Sequence, residues 1–174
     1  MQNRTLRQLT AAGVIAAAYA ALSLVLAPIT FGPVQCRISE ALTLLPVISP
    51  AAIWGVTLGC AVTNGVGAAT GANFLGLVDL PVGTAATLLA AVATRLLGKI
   101  RFGGLPWLSA LPPILLNAVA IGAEWCYAMT GSINGAFWVF AGQIALGQLP
   151  PCLLGVWLVG LLERRSLQTI IEGK

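Results

Sequence analysis

Three acidic residues could bind a ligand in this chain, because each interrupts an otherwise hydrophobic region. Glu40, Asp79 and Glu124 are separated by long apolar runs, and Arg37 lies three residues before Glu40 in the stretch FGPVQCRISEAL (31–42). A carboxylate accepts hydrogen bonds and pairs strongly with two parallel N–H groups or with a cation. These residue types favour the binding of a donor-rich ligand over covalent chemistry, provided that the fold brings them together.

The composition indicates that lipid surrounds these residues. The chain has 174 residues, of which 58% are hydrophobic and 8% charged, and its mean hydropathy is +0.93. A soluble domain has about 25% charged residues, and a short chain cannot hide this much apolar surface from water. We expect residues 1–174 to form one integral membrane domain. The apolar run 9–27 is longer than the ~7–15-residue core of a signal peptide, so we interpret it as a retained first helix.

Proline, glycine and charged residues divide the chain into apolar segments. The segments cover about residues 8–27, 39–48, 51–68, 76–98, 106–128 and 136–162. All except 39–48 approach the ~20 residues that a helix needs to cross the hydrocarbon core of a bilayer. The segment 39–48 either crosses as a short span or re-enters on one side, and the distribution of basic residues decides between the two.

The positions of lysine and arginine favour six crossings with both termini in the cytoplasm. In that topology Arg37 alone lies outside. The basic residues on the inner side are Arg4, Arg7, Arg95, Lys99, Arg101, Arg164, Arg165 and Lys174. This positive-inside bias would nearly vanish if 39–48 did not cross. We therefore predict an all-α membrane fold of six transmembrane helices, in which Gln2–Arg7 and Glu163–Arg165 anchor the membrane edge.

This topology places Glu40, Asp79 and Glu124 at a similar depth toward the outside. Each acid alone fits a solvated helix end, and Glu40 and Asp79 also fit helix starts, where a carboxylate meets the positive end of the helix dipole. Three acids on one side instead favour a shared pocket, because ionisable groups in a membrane usually face a cavity or a partner. Arg37 can pair with Glu40 at i, i+3 and hold the outer loop as a lid. Phe31, Pro33 and Val34 are candidates for an apolar cap over the ligand.

Polar and aromatic residues near the acids complete the predicted substrate-binding set. A carboxylate suits the parallel N–H groups of a guanine-like edge, a second carboxylate suits an amine, and aromatic rings stack on a planar heterocycle. Asn117 and Gln143 are candidates for hydrogen bonds to the ring, and the candidates for stacking are Trp125, Tyr127 and Trp138. Trp125 and Tyr127 equally suit an aromatic belt at the membrane surface.

Small residues recur along the first segment. Ala12, Ala16 and Ala20 follow one another at intervals of four residues. A second strip consists of Gly13, Ala17 and Ala21. Such a strip lets another helix approach closely, so it either packs within the protein or docks on a separate membrane subunit. The breadth and alanine content of the strip suit docking, and we predict that Ala12, Ala16 and Ala20 form the docking surface.

The sequence offers little for catalysis, metal binding or ATP hydrolysis. It contains no histidine, which is the commonest general base and metal ligand. Its four cysteines form no CxxC pair, and we interpret them as buried small hydrophobes, with a Cys36–Cys126 disulfide as the alternative. The motif GxxxxGK[ST] is absent, so any ATP hydrolysis belongs to a partner. We expect no catalytic residue, metal ion or cofactor in this chain and no nucleic-acid partner.

Three stretches of the chain resemble the QueT family, the small substrate-binding membrane subunits (S-components) of energy-coupling factor (ECF) transporters. The stretches are FGPVQCRISEALTLLP (31–46), PAAIWGVTLGCAVTN (50–64) and GLVDLPVGTAATLLAA (76–91). The resemblance implies a six-helix S-component that binds its ligand from outside with high affinity. It also implies docking through the first helix on a membrane coupling subunit with two ATPase subunits, and toppling in the bilayer to release the ligand inward.

The resemblance further implies uptake of a queuosine precursor, a 7-deazaguanine such as queuine or 7-aminomethyl-7-deazaguanine, across the plasma membrane of a prokaryote. Such a ligand is planar and has a guanine edge, and the aminomethyl form adds a cation, which agrees with the acid-rich pocket. Two alternatives stay open. One is an S-component for another vitamin or purine-like ligand, and the other is a stand-alone proton-coupled carrier that works through Glu40, Asp79 and Glu124.

Overall fold

Apolar α-helices make up most of the structure. The computed structural model describes residues 2–32 and 34–164, except for the side chains of residues 2 and 3. The α-helices are α1 (Gln2–Val25), α2 (Ala27–Thr30), α3 (Ala51–Ala69), α4 (Asp79–Leu97), α5 (Leu111–Thr130) and α6 (Phe137–Arg164). The 3₁₀ helices are Ile38–Val47, Gly76–Val78 and Trp107–Ala110. The predictions made for Pro33, Arg165 and Lys174 lie outside the described residues.

The predicted all-α membrane fold is confirmed. Five helices in the described part of the chain are long and apolar enough to cross a bilayer. They are Arg4–Val25, Ala51–Ala69, Gly76–Leu97, Trp107–Thr130 and Phe137–Arg164. A helix is the form that such segments take in lipid, because it satisfies every backbone polar group within the segment itself. Each of these five segments is therefore a candidate membrane span.

The helices α1 and α3 run parallel to each other. Gly55 lies directly against the carbonyl oxygen of Ala12, and Gly59 lies directly against that of Ala16, so the contacts advance in the same direction along both helices. The chain must therefore return through the thickness of the bundle between α1 and α3, and the 3₁₀ helix Ile38–Val47 makes this return. At ~2.0 Å per residue, a 3₁₀ helix extends ten residues to ~20 Å, against ~15 Å for an α-helix.

This return explains how so short a segment fits a bundle of long helices. The six bilayer crossings and the cytoplasmic location of both termini stay predictions, which the parallel arrangement of α1 and α3 supports. Neighbouring helices later in the chain alternate in direction. Asn64 on α3 contacts Asp79 on α4, whereas Cys60 contacts Thr87, so α3 and α4 are antiparallel.

The two ends of the bundle differ in composition. We call the end that holds Asp79 and Glu124 the outer end, and the end that holds Arg95 and Glu163 the inner end. At the inner end Arg95 Nη1 donates a hydrogen bond of 2.8 Å to the carbonyl oxygen of Pro46. Arg101 donates two hydrogen bonds of 2.8 Å to the carboxylate oxygens of Glu163. The charged groups in these contacts are paired at the bundle surface.

An apolar core packs between the 3₁₀ helix Ile38–Val47, α5 and α6. Its buried residues are Leu44, Leu45, Ile48, Ala52, Ala110, Ile114, Cys152, Val156 and Val159. The four cysteines are free thiols, so the alternative Cys36–Cys126 disulfide is not formed. The buried thiol of Cys152 belongs to this core, as expected for a small hydrophobe.

Candidate functional site

Asp79 lies at the centre of a polar cluster at the outer end. It is the first residue of α4 and is fully buried, and Gly76, with a φ of +64°, turns the chain just before it. Asn73 Nδ2 donates a hydrogen bond of 2.7 Å to Asp79 Oδ2, and Asn64 Nδ2 donates one of 2.9 Å to the Asp79 backbone oxygen. A Cβ at Gly83 would lie 2.5 Å from Asp79 Oδ1 and 2.7 Å from Asn64 Nδ2, so this position requires glycine.

Arg37 faces Asp79 and does not pair with Glu40. Its Nη2 lies 4.0 Å from Asp79 Oδ2, its Nη1 lies 3.8 Å from Cys60 Sγ, and its guanidinium lies 5.6 Å from the centre of the Phe31 ring. The expected i, i+3 pair is absent because Arg37 precedes the 3₁₀ helix in an extended conformation, with φ −93° and ψ 99°. Burial opposes its charge, but Tyr19 and Cys60, followed by Asp79 and Glu40, raise the pKa of Arg37 above its usual value.

Glu40 connects three elements of the outer half. Its side chain is buried, and the hydroxyl of Tyr19 on α1 donates a hydrogen bond to Glu40 Oε1. Asn117 on α5 lies beside the same carboxylate. Thr43 donates a hydrogen bond of 2.6 Å to the Glu40 backbone oxygen, which fixes the first turns of the 3₁₀ helix. The second carboxylate oxygen, Oε2, has no hydrogen-bond partner among the described residues.

Glu124 lies close to Asp79 and lines a groove between α4 and α5. The groove has a volume of about 440 Å³, and its wall is apolar apart from Glu124 and the hydroxyl of Tyr127. The apolar residues of the wall are Leu75, Val78, Val82, Val119, Ala120, Ala123, Ala128 and Ile133. Both carboxylate oxygens of Glu124 are buried and lack a hydrogen-bond partner among the described residues. Because the carboxyl groups of Glu124 and Asp79 lie within hydrogen-bonding range of each other, an external donor or cation can serve both.

Trp125 is the only one of the three predicted stacking residues that lies in the buried interior. Its ring stacks between Phe74 and Phe140, with centroid distances of 5.3 and 6.4 Å and interplanar angles of 20° and 23°. Tyr127 and Trp138 are 64% and 76% exposed. Tyr127 lines the α4–α5 groove with Glu124, whereas the ring of Trp138 contacts the neighbouring Phe137. The exposure of Tyr127 fits the alternative role of a belt residue at the membrane surface, whereas Trp125, the other residue with that alternative, is buried.

The remaining predicted residues lie on the two helices that flank the cluster. Asn117 on α5 is buried beside Glu40, as described above. Gln143 on α6 is half-buried, and its Oε1 has no hydrogen-bond partner in the described structure. Both amides therefore remain candidates for hydrogen bonds to a ligand.

Several buried polar residues of the outer half were not among the predicted contacts. Tyr19 bonds Glu40, and Thr87 Oγ1 lies 3.2 Å from the thiol of Cys60. Gln35 and Gln148 are joined by a hydrogen bond of 3.5 Å from Gln148 Nε2 to the Gln35 backbone oxygen. The sequence feature that could have identified these residues is a polar side chain within an apolar helix. Such a side chain is costly to place in lipid and usually has a function. Tyr19 and Gln148 both meet that description.

The outer half contains many buried polar atoms without a hydrogen-bond partner among the described residues. They include Gln35 Nε2, Arg37 Nε and Nη2, Glu40 Oε2, Asn64 Oδ1, Asp79 Oδ1, Glu124 Oε1 and Oε2, Trp125 Nε1, Gln143 Oε1 and Gln148 Oε1. A buried polar atom left unpaired costs about 1–3 kcal/mol. A protein tolerates such a concentration of unpaired atoms where a ligand, an ion or ordered water supplies the missing partners.

The small-residue strip on α1 lies in an internal contact. Ala16 and Ala20 are buried and Ala12 is half-buried, on the side of α1 that meets α3. The adjacent strip is exposed along its length and consists of Gly13, Ala17 and Ala21. In this structure α3 therefore covers the predicted docking strip, and docking through it stays a prediction.

Comparison with known families identifies the chain. A family model described as the QueT transporter matches residues 9–164. The chain belongs to the QueT transporter family. No curated protein and no solved structure gave a match. Membership of the QueT family, together with the long apolar helices, establishes a multi-pass membrane protein with a role in transport.

The family match covers every element that builds the polar cluster. The matched residues 9–164 begin within α1 and end with α6, so they include Arg37 and all three outer acids. The whole polar cluster therefore lies within the part of the chain that the family model matches.

Proposed function

We propose that this QueT family member is the substrate-binding subunit of an ECF transporter that takes up a queuosine precursor across the plasma membrane of a prokaryote. The observation that supports this most directly is the set of unpaired carboxylate oxygens at the outer end. In the described part of the chain, Asp79, Glu40 and Glu124 together present four such oxygens, and Arg37 is the cation beside them. The chain binds its ligand without covalent chemistry.

The unpaired acceptors define the chemistry of the ligand. Carboxylates accept hydrogen bonds and cannot donate them when ionised, so the ligand must supply several N–H groups or a cation. A 7-deazaguanine offers two parallel N–H groups on its guanine edge, which match the bidentate preference of a carboxylate. The aminomethyl derivative adds an ammonium group, which a second carboxylate binds. Glu124 and Asp79 are the first choice for these two contacts, and Glu40 is the third.

The aromatic residues support a planar ligand. Trp125 keeps an unpaired Nε1 at the edge of its stack with Phe74 and Phe140. Because Phe74 and Phe140 cover the two faces of this ring, a planar ligand meets Trp125 at its edge. The indole N–H can also donate a hydrogen bond to the ligand, which the carboxylates cannot do. Trp125 is therefore the aromatic residue that we assign to the site.

The energy for uptake comes from other subunits under this proposal. The chain contains no phosphate-binding loop for ATP, so two ATPase subunits and a membrane coupling subunit supply and transmit the energy. Docking through small residues of α1 agrees with the two strips on that helix, one packed on α3 and one exposed. Small residues allow the close helix contact that such docking needs.

Calorimetry with the purified wild-type protein tests the proposed ligand. Queuine, 7-aminomethyl-7-deazaguanine, 7-cyano-7-deazaguanine and guanine form the test panel, and thiamine and riboflavin serve as controls. We expect at least one 7-deazaguanine to bind tightly and to resist displacement by the two vitamins. Absence of binding to the whole panel, or tighter binding of a control vitamin, would overturn the proposed ligand.

Uptake into vesicles tests the proposed partners. Vesicles that contain this chain alone should bind the 7-deazaguanine but should not accumulate it, with or without a pH gradient. Vesicles that also contain the coupling subunit and the ATPases should accumulate it when ATP is present on the ATPase side. Accumulation by the chain alone, driven by a pH gradient, would instead identify a proton-coupled carrier.

A further inference from the structure

Two buried glutamines, Gln35 and Gln148, contact each other in the outer half of the bundle and are not among the proposed carboxylate contacts. Gln35 belongs to the loop before the 3₁₀ helix Ile38–Val47, and Gln148 lies in the middle of α6. Their exposed fractions are 1% and 2%. Glutamine is rarely buried so completely, because its amide has two donors and an acceptor that must be satisfied. Two such residues in contact therefore require an explanation.

The hydrogen bonds of the two amides are incomplete. Gln148 Nε2 donates a long hydrogen bond of 3.5 Å to the backbone oxygen of Gln35. Gln148 Oε1 and Gln35 Nε2 are buried and have no hydrogen-bond partner among the described residues. The pair therefore presents one unpaired acceptor and one unpaired donor. Leucine at either position would avoid the cost of burying an unpaired amide, so packing alone does not explain glutamine here.

The backbone at Gln35 is also held in an unfavourable conformation. Gln35 has a φ of +46°, which is uncommon for any residue except glycine, asparagine or aspartate. The preceding residue, Val34, places its carbonyl oxygen directly against Gly147, where even a Cβ would not fit. The loop is thus pressed against α6 beside Gln148. A strained residue that the surrounding packing enforces points to a functional requirement at that position.

We propose that Gln35 and Gln148 form an amide subsite that reads the neutral edge of the ligand, where the pyrrole N–H lies beside a pyrimidine ring nitrogen. Gln148 Oε1 accepts a hydrogen bond from the pyrrole N–H, and Gln35 Nε2 donates one to the ring nitrogen. This proposal rests on the proposed function and extends it. It assigns to the amides the ligand edge that includes a hydrogen-bond acceptor. An ionised carboxylate cannot donate a hydrogen bond to that acceptor, whereas an amide can.

In a 7-deazaguanine, the edge with the pyrrole N–H is the one that complements the donor and the acceptor of the two glutamines. The carboxylates take the N–H groups of the guanine edge, and the ring carbonyl is a lone acceptor because carbon replaces the neighbouring ring nitrogen. The opposite edge then offers a donor beside the ring nitrogen, either the pyrrole N–H or the second N–H of the amino group, and this proposal assigns the pyrrole N–H. The same N–H carries the sugar in a nucleoside, so the subsite selects the free base against its nucleoside.

Calorimetry with a matched pair of ligands tests the subsite. The pair consists of 7-aminomethyl-7-deazaguanine and the corresponding furo[2,3-d]pyrimidine, in which an oxygen atom replaces the pyrrole N–H at nearly constant size. We expect wild-type protein to bind the furo analogue at least ~10-fold more weakly, because an oxygen would face Gln148 Oε1. Gln148→Leu should bind the parent ligand ~10-fold more weakly than the wild type does. Its affinities for the two ligands should differ by no more than ~3-fold.

Two further variants complete the comparison. Gln35→Leu should also weaken binding of the parent ligand by ~5–10-fold. Gln8→Leu makes the same chemical change on α1 toward the inner end, beside Ala12 and Trp54, and should bind both ligands as the wild type does. Wild-type discrimination retained by Gln148→Leu would show that another residue reads the pyrrole N–H, and the subsite would be rejected.

Thermal melting without ligand separates a binding role from a structural one. Gln148→Leu should melt at the wild-type temperature or above it, because an unpaired buried amide is replaced by an apolar side chain of similar size. A fall of more than ~5 °C would identify the amide as structural and overturn the subsite. If the wild-type protein binds no 7-deazaguanine, the proposed function and the ligand assigned here are both overturned. If the wild-type protein binds a 7-deazaguanine and Gln148→Leu binds it with the same affinity, only the subsite is overturned.

Discussion

The outer and inner ends of this bundle solve the problem of charged groups in a membrane protein differently. At the inner end, Arg101 and Glu163 satisfy each other with two hydrogen bonds at the surface, and Arg95 finds a backbone carbonyl. At the outer end, Asp79 and Glu124 are held inside the protein with carboxylate oxygens that have no hydrogen-bond partner among the described residues. The first arrangement is complete within the chain, and the second needs a partner from outside it.

This difference indicates which parts of the molecule serve stability and which serve binding. Beneath the outer cluster, the core around Leu44, Ile48 and Val156 is apolar and closely packed. A substitution in this core would therefore lower the stability of the protein by removing packing contacts. The outer half retains unpaired acids and amides that stable packing would not favour. Substitutions at the two ends should therefore change different measured quantities.

Asp79→Asn should have the largest effect on ligand affinity. Asp79 lies at the centre of the polar cluster, and loss of its charge removes a charge-assisted hydrogen bond to the ligand and the ionic partner of Arg37. We expect 7-deazaguanine binding to weaken on the order of 100-fold in calorimetry. Glu163→Gln makes the matched change at the inner end and should alter affinity by less than ~2-fold, because an exposed pair contributes little. Equal losses in the two variants would contradict the division between the ends.

Gly83→Ala should weaken binding by more than ~10-fold without adding or removing any charge. The new Cβ would overlap Asp79 Oδ1 and Asn64 Nδ2, so the carboxylate must move from its present position. Gly142→Ala is the matched control on α6, because no atom lies within 4 Å of a Cβ there. Calorimetry of both variants should give a large effect for the first and none for the second. Wild-type affinity in Gly83→Ala would mean that the position of Asp79 does not matter for binding.

Glu124→Gln should weaken binding by about 10-fold, less than the change at Asp79. Glu124 lies at the wall of the α4–α5 groove and is half-buried, whereas Asp79 is fully buried and also faces Arg37, so fewer interactions depend on Glu124. The loss should be greater for 7-aminomethyl-7-deazaguanine than for the uncharged 7-cyano form, because an ammonium group gains most from a carboxylate. Unchanged affinity for both ligands would remove Glu124 from the site.

The sequence was sufficient to predict the fold class and the residues that are costly to bury. Asp79 and Glu40 attract attention because an acid within an apolar segment is expensive in lipid, and the structure places both in one cluster with Arg37. The bias of basic residues favoured a crossing by the segment 39–48. The parallel packing of α1 and α3 agrees with that crossing.

Which side chains face the interior and which pairs form depend on helix rotation and on backbone geometry. The hydropathy pattern of a sequence does not determine either of these. Trp125 and Trp138 were equal candidates in sequence, but one is buried and the other is 76% exposed. The adjacent strips on α1 were also equal candidates by spacing, and packing against α3 buries the one that contains Ala16. The Arg37–Glu40 pair assumed a helix, whereas Arg37 lies in an extended conformation before the 3₁₀ helix.

Ile48→Ala should reduce stability and leave affinity within about 2-fold of the wild type. Ile48 is buried in the apolar core, and its truncation leaves a cavity that costs ~2–5 kcal/mol in soluble proteins. We expect the ligand-free melting temperature in detergent to fall by about 5 °C or more. A large loss of affinity without a change in melting temperature would show that the core also shapes the ligand site.

Trp138→Ala should have the smallest effect of all. The indole is 76% exposed, and its aromatic partner is the neighbouring Phe137, so the substitution removes a side chain that touches neither the polar cluster nor the apolar core. Affinity should stay within about 2-fold of the wild type and the melting temperature within ~1 °C in detergent, as for other exposed positions. In lipid vesicles a small loss of stability is compatible with a belt residue, because an interfacial indole anchors a helix only where a membrane surface is present. A loss of affinity comparable to that of Glu124→Gln would instead place Trp138 over the ligand, which requires the outer end of α6 to rotate toward the cluster on binding.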